Sequence, residues 1–201
     1  MSLVSGRPDT VEPVYDAIVL AGGTARRLGG VDKPALDVGG STLLDRALAA
    51  AGDARRLVVV GPERSVARAV VWCREEPIGG GPVAAIAAGL PLTSADVVLV
   101  LAADLPWVAP AVPVLLSALR PPSDVALLVD SSGRVNHLAA AWQRDALERA
   151  LAEVGDPDGA AVRALVRTAS WVHVLDTGGW GRDCDTWDDL AQARQREGDQ
   201  L

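Results

Sequence analysis

Arg26, Arg27 and Lys33 fall within eight positions of one another, directly after the pair Gly22-Gly23, and that pair closes the apolar run Ile18-Val19-Leu20. Short β-branched runs of this kind form buried strands, and the glycine-rich end of such a strand is where an open α/β sheet places its ligands. With no side chain at two successive positions, backbone N–H groups can converge on phosphate oxygens. Three cations then supply the neutralisation that amides alone cannot give a polyphosphate. The expected chemistry is therefore anion binding by Leu20, Ala21, Gly22 and Gly23, with Arg27 and Lys33 facing the phosphates. A surface turn with solvated basic residues also fits a glycine pair; the density of cations favours phosphate. Neither G-x-x-x-x-G-K-[ST] nor G-x-G-x-x-G follows the strand, which disfavours both a P-loop ATPase and a dinucleotide domain.

A second group of chemical interest is Asp104, which follows the fully apolar run from Val97 to Leu101. Such a run reads as a central strand, and a carboxylate at its carboxyl end lies over the ligand crevice. Leaving that carboxylate buried and unpartnered would be costly, so a cation or a hydrogen-bond donor must accompany it. A helix cap is the competing use, although Pro106 intervenes and the next helix is expected only near Pro110. A third stretch, Glu75-Glu76-Pro77-Ile78-Gly79-Gly80-Gly81-Pro82, has three glycines ahead of an apolar helix, a backbone that can lie flat against a ligand and aim a helix N-terminus at it.

The elements that must hold these groups alternate along the chain. A helix capped by Ser41 is expected to run to about Ala51, followed by a strand over Leu57–Gly61, which together with the first strand makes a right-handed βαβ unit. A short helical piece at 63–69, a strand at 70–74, a helix at 83–90 and the Val97–Leu101 strand continue the pattern, then a helix at 111–119 and a strand at 125–129. Beyond that point the alternation changes: a strand over Asn136–Trp142, amphipathic helices over Gln143–Val154 and Ala160–Ala169, a strand at Trp171–Leu175 and a last helix capped by Thr186. Residues 1–14 have no periodicity and read as a flexible leader, leaving 15–201 as a single domain.

Composition narrows the function classes. A chain of 201 residues, 49% of them apolar, can bury one substantial core, and a net charge of −7 argues against nucleic acid or an anionic membrane as partner. The two cysteines, Cys73 and Cys184, form no disulfide framework and no metal-binding pair. No signal peptide is recognisable, and Asp104 with three prolines interrupts the longest apolar tract, so no membrane span is expected. A cytoplasmic protein, monomeric or weakly homo-oligomeric, is the expectation.

The string from Leu20 to Pro34 resembles the L-A-G-G-x-x-x-R-x-G…K-P signature of nucleotidyltransferases, and Ala21-Gly22-Gly23-Thr24-Ala25-Arg26-Arg27-Leu28-Gly29-Gly30-Val31-Asp32-Lys33 is most similar to the molybdenum cofactor guanylyltransferases. Three further stretches resemble that family: Gly81-Pro82-Val83-Ala84, Ala103-Asp104-Leu105-Pro106, and Asp183 to Leu190. The resemblance implies a three-layer, Rossmann-like α/β sandwich with a mostly parallel central sheet, of the nucleotide-diphospho-sugar transferase type. It implies GTP as donor and molybdopterin as acceptor, with Arg27, Lys33 and Asp104 catalytic and Asp104 binding Mg2+. Glu75 takes the position of the family's base-reading carboxylate, and Gly81 frames the base. A carboxylate can accept both the N1 and N2 hydrogens of guanine, a donor pair that cytosine lacks. Glu75 also fits a solvated acidic turn.

The chain departs from the family pattern in places. Leu138 and Trp187 stand at positions where the family has proline, and Asp183 and Asp185 replace asparagines. Aspartate at 185 is what cytidylyl and sugar-phosphate branches use as a second metal ligand, which strengthens the Mg2+ site and loosens the choice of base. A CTP-using sibling, another small phosphorylated acceptor, or a non-catalytic nucleotide sensor are the other readings. His137 is read as structural rather than as a general base, and Arg163 and Arg167 as a solvated face rather than a phosphate clamp.

Overall fold

The computed structural model describes residues 13–23 and 28–198. The expected leader, apart from Pro13 and Val14, and the catalytic role given to Arg27 fall outside the described residues. Nine strands and five helices alternate through the rest: β1 (Tyr15–Leu20), β2 (Asp37–Val38), β3 (Ser41–Thr42), α1 (Leu43–Ala50), β4 (Leu57–Val60), β5 (Val71–Cys73), α2 (Gly81–Gly89), β6 (Val97–Ala102), α3 (Ala111–Ala118), β7 (Val125–Val129), β8 (Val135–Gln143), α4 (Arg144–Val154), β9 (Trp171–Leu175) and α5 (Trp187–Gly198). Seven strands form one sheet in the order β5-β4-β1-β6-β8-β7-β9, while β2 and β3 make a separate hairpin. β1 pairs in parallel with β4 and β6, and β7 with β9. β8 runs antiparallel to both neighbours. The expected mostly parallel sheet is present, with the change of pattern after β7 appearing as this one reversed strand.

Period-2 alternation divides the core into two layers. Ala17, Val19, Leu99 and Leu101 face one side with Leu44, Leu48 and Leu115 from α1 and α3; Ile18, Val58, Val98 and Val100 face the other with Val83, Ile86 and Leu147 from α2 and α4. Helices on both faces of a parallel sheet bury its strands from either side, which is why those strands read as unbroken apolar runs. α2 lies so close that a Cβ at Gly89 would stand 2.9 Å from Ile18 Cγ2. α5 packs elsewhere, with Leu190 and Ala193 against Val38, Leu43 and Cys184.

Several local expectations need correction. Thr42, not Ser41, caps α1: its Oγ1 accepts the Asp45 N–H at 3.0 Å, while Ser41 is taken up in the β2–β3 hairpin opposite Val38. The segment at 63–69 forms bends rather than a helix. Ala160–Ala169 holds only a single 3-10 turn, Val162–Ala164. The loop ahead of it is tied down, Gly159 N–H donating to Gly80 C=O at 2.8 Å, and Leu165 is buried in the core, while the segment's β-branched residues add little helix propensity of their own. Thr186 caps α5 as expected, in a reciprocal arrangement with Asp189: its Oγ1 accepts the Asp189 N–H at 3.1 Å and its N–H donates to Oδ2 at 2.8 Å.

Candidate active site

The end of β1 is tied to its neighbours before it opens into the glycine loop. The Ala21 N–H donates to Val60 C=O at 2.8 Å, so that amide belongs to the sheet and is not available to a ligand, contrary to expectation. The amides of Gly22 and Gly23 donate to no described residue, and both positions are exposed. Gly61, at the end of β4, approaches the same turn: a Cβ there would stand 2.8 Å from the Ala21 carbonyl, and its φ is +149°. Only glycine fits this crossing, for reasons of both space and dihedral.

Lys33 is the centre of the site. Its Nζ donates to Asp104 Oδ2 at 2.5 Å and to Asp185 Oδ1 at 2.6 Å, across 71 and 152 positions of sequence. Burial alone would lower the Lys33 pKa, but the two carboxylates outweigh it and the pKa is raised, so the ammonium is charged at neutral pH. Asp104 stands past the end of β6 and caps no helix. The Cys184 N–H donates to its carbonyl at 3.1 Å, which pins the 183–185 segment to β6 and brings Asp185 to the lysine. Burial, then repulsion from Asp104, pushes the Cys184 thiol up to about 11, leaving it protonated. Both cysteines are free. The pKa of Asp183 is also raised, by burial and then by Asp185 and Asp104.

Leu20, Gly22, Gly23, Lys33, Glu75, Gly81 and Asp104 all line one cleft of about 250 Å3. The structure brings these expected residues together; Ala21, wholly buried, stands behind the lining. Glu75 is buried, which excludes the solvated-turn reading, and its Oε1 accepts the Gly79 N–H at 3.1 Å. A Cβ on Gly22 would lie 3.7 Å from that same oxygen. The Glu75 carboxylate and Gly22 are therefore next to each other in the lining of this cleft.

A larger depression of about 990 Å3 opens beside it, between the β7–β8 turn and the loop after β9. Its carboxylates are largely engaged by backbone: Asp130 accepts the Ser132 and Arg134 N–H groups, and Asp176 those of Gly178, Trp180 and Gly181. Arg134 and Arg182 also line it, and neither forms an ion pair with a described residue. His137 lies on its wall with a lowered pKa, from burial and then from His173, so it is neutral near pH 7. Arg163 and Arg167 are exposed and do not line this space.

Asn136, Asp176 and the charged clamp around Trp107 went unrecognised in the sequence. Arg46 and Arg196 both stack over the Trp107 ring, at 5.2 and 4.6 Å, and Arg196 also donates to Gly178 C=O at 2.8 Å. Only Asp130 and Asp176 carried a readable signal, each being an aspartate just ahead of a glycine-bearing turn.

A cleft of about 250 Å3 on a glycine loop, lined by a lysine and a strand-end aspartate and adjoining a larger depression, fits a nucleotidyltransferase. Residues 17–174 match the MobA-like NTP transferase domain, and the chain belongs to that family. The molybdenum cofactor guanylyltransferase of Acidiphilium cryptum is 37% identical over 146 residues, 67% of this chain and 71% of that protein. Among solved structures, a nucleotidyl transferase from Methanothermobacter thermautotroptrophicus superposes with a TM-score of 0.75 over 94% of this chain and 99% of the other, at 19% identity. Molybdopterin-guanine dinucleotide biosynthesis protein A from Archaeoglobus fulgidus gives 0.67 over 92% and 99%, at 21% identity. These structural likenesses concern the fold, which is that of the nucleotidyltransferases.

Proposed function

We propose that this nucleotidyltransferase moves GMP from GTP onto the phosphate of molybdopterin, releasing pyrophosphate, with Mg2+ as its metal. The observation that carries the reading is the Lys33 ammonium bound at once to Asp104 and Asp185, in the lining of a cleft that also holds Gly22, Gly23 and Glu75. The relatives that match the chain are named for the same reaction. Residues 15–201 act as one domain in this reading, and the substrates imply a cytoplasmic setting. No described helix is long and apolar enough to cross a membrane.

An acceptor phosphate is already anionic at neutral pH, so attack on the α-phosphorus needs no strong general base. The obstacle is the approach of two anions. Lys33 would neutralise charge on the nucleotide and on the departing pyrophosphate, joined by Arg27. The Gly22 and Gly23 amides, which donate to no described residue, would hold phosphate oxygens, Glu75 would read the guanine edge, and Gly81 would let the backbone lie against the base. Arg134 and Arg182 would draw the acceptor phosphate into the larger depression.

Metal fits this donor set. Among the described residues no cluster of three or more His, Cys, Asp or Glu side chains forms a ready-made metal cage. Mg2+ does not need one, since it binds through one or two carboxylates together with phosphate oxygens and water. Asp104 and Asp185 would hold it, and when bound it would supply Lewis-acid stabilisation of the charge at the α-phosphate.

Measuring pyrophosphate release from each of the four ribonucleoside triphosphates, with and without molybdopterin and Mg2+, tests the proposal. Release with GTP alone, dependent on both additions, is the expected result. Release with CTP instead would identify the sibling activity that an aspartate at 185 leaves open. Binding without release would mean a sensor.

A further inference from the structure

Among the described residues, Leu138 alone lines both the nucleotide cleft and the larger depression. Register puts it there. Along β8, Ala140 pairs with Leu127 and Asn136 pairs with Leu128, so three residues of β8 fall where β7 advances by one step. Ala139 keeps its partner Leu101 on the opposite side. Extra residues on one strand of a ladder bend it and redirect its side chains. Asn136 sets the shape of this bulge: its Oδ1 accepts the Leu138 N–H at 3.0 Å, and its Nδ2 donates to Gly181 C=O at 3.0 Å. Gly181 belongs to the loop gathered on Asp176, and a Cβ there would stand 2.9 Å from Leu128 Cδ2. The leucine itself is half-buried and packs against the cores of both sheet faces.

We propose that Leu138 determines which nucleophile reaches the α-phosphorus: it is an apolar sill between the two substrates that hinders water while the acceptor phosphate reaches across it. The inference rests on the reading that the larger depression receives the acceptor. Two reactions compete at the same atom. In transfer, an oxygen of the acceptor phosphate bonds to the α-phosphorus, the bond from that phosphorus to the bridging oxygen breaks, and pyrophosphate leaves with the electron pair; a dianionic acceptor exchanges no proton. In hydrolysis the oxygen of water makes the new bond, the same bond breaks, and the two protons of water pass to pyrophosphate and to solvent.

Charge neutralisation by Lys33 assists both reactions and cannot separate them. A group that treats the two nucleophiles differently is required. The isobutyl side chain of Leu138 offers a water molecule no hydrogen-bond partner at the junction, whereas an acceptor held in its own basin is delivered with its orientation already fixed. Asn136 is then a positioning residue, acting through the backbone of Leu138.

The test follows GTP consumed, GMP formed and dinucleotide formed by the full chain supplied with GTP, molybdopterin and Mg2+. The wild-type chain is expected to make nearly one dinucleotide per GTP consumed. Leu138→Ala is expected to raise the ratio of GMP to dinucleotide about tenfold, the scale on which one apolar contact discriminates. Leu138→Met should restore the wild-type ratio, and Asn136→Ala should move it in the same direction as Leu138→Ala. An unchanged ratio in Leu138→Ala overturns the proposal, as does a Leu138→Met that hydrolyses as freely as Leu138→Ala. If Leu138→Ala does not fold, Leu138→Val decides in its place by the same ratio. Failure of the wild-type chain to form any dinucleotide would strike the substrate reading instead. GTP hydrolysis by Leu138→Ala above wild type would then still support the sill, and equal hydrolysis would overturn it.

Discussion

At the carboxyl ends of β1, β4 and β6 the site is made of backbone and of side chains a few residues from a strand end: Gly22, Gly23, Gly61, Asp104. Around β7, β8 and β9 it is made of side chains that hold distant backbone in place: Asn136 on Gly181, Asp176 on its own loop, Arg196 on Gly178. The first region presents a ligand with groups that parallel strands place by themselves. The second has to be tied into shape, because a reversed strand and long connections supply no common edge. Changes in the first should therefore strike nucleotide binding and catalysis, and changes in the second should strike acceptor binding and the choice of nucleophile while leaving nucleotide binding as it is.

The sharpest break with that division would come from Lys33→Ala. Removing the ammonium leaves Asp104 and Asp185 facing each other, and kcat for pyrophosphate release should fall about a thousandfold, as when a group that stabilises developing charge is lost. A fall of less than tenfold would show that the lysine holds structure only. Next in size is Glu75→Ala, which deletes a charged hydrogen-bond acceptor from the base side. A loss of about 1.5–3 kcal/mol is expected, read as a rise of roughly ten- to a hundredfold in the KM for GTP. The KM for the acceptor should stay as it is; if both move together, the two regions are not independent.

Asp176→Ala tests the other side. With three N–H groups released, the loop after β9 should loosen and the acceptor KM should rise about tenfold, the order expected when the support of a binding loop is removed, while the GTP KM stays constant. Equal rises in both constants would refute the division.

The smallest effect on turnover is expected at Asp16, at the opposite end of β1. This wholly buried carboxylate accepts the Ser94 and Ala95 N–H groups at 2.6 and 2.8 Å and pairs with Arg55. Burial alone would raise its pKa, but those bonds prevail and hold it below the ordinary 3.8. A depressed carboxyl pKa contributes stability above the unfolded value, and that stability is lost as pH falls through the folded one. Asp16→Asn should leave kcat at neutral pH untouched and cost about 2 kcal/mol of stability, since an amide cannot satisfy the same donors. Its melting temperature should fall less steeply below about pH 4 than that of the wild-type chain.

The same division explains what could be read from the sequence. Gly22, Gly23, Lys33 and Asp104 announced themselves because their chemistry is local, a strand followed at once by its ligand groups. The Ala21 amide was misjudged because strand pairing with Val60 continues one residue past the apolar run. Asp185 was visible only through family resemblance, being 152 positions from the lysine it meets. The sill at Leu138 was hidden, since a bulge exists only in the pairing of two strands and neither strand alone displays it. The missing helix over Ala160–Ala169 shows the converse, a period in sequence that yields only a 3-10 turn once Leu165 is drawn into the core.

The bond from Lys33 to Asp185 spans most of the chain's length. Translation proceeds from the amino terminus, so a nascent polypeptide owns its glycine loop and lysine long before it owns the last carboxylate. A product terminated ahead of Asp185 keeps the glycine loop and Lys33 but lacks the carboxylate 152 positions further on, and is expected to release no pyrophosphate if that carboxylate helps hold the metal as proposed.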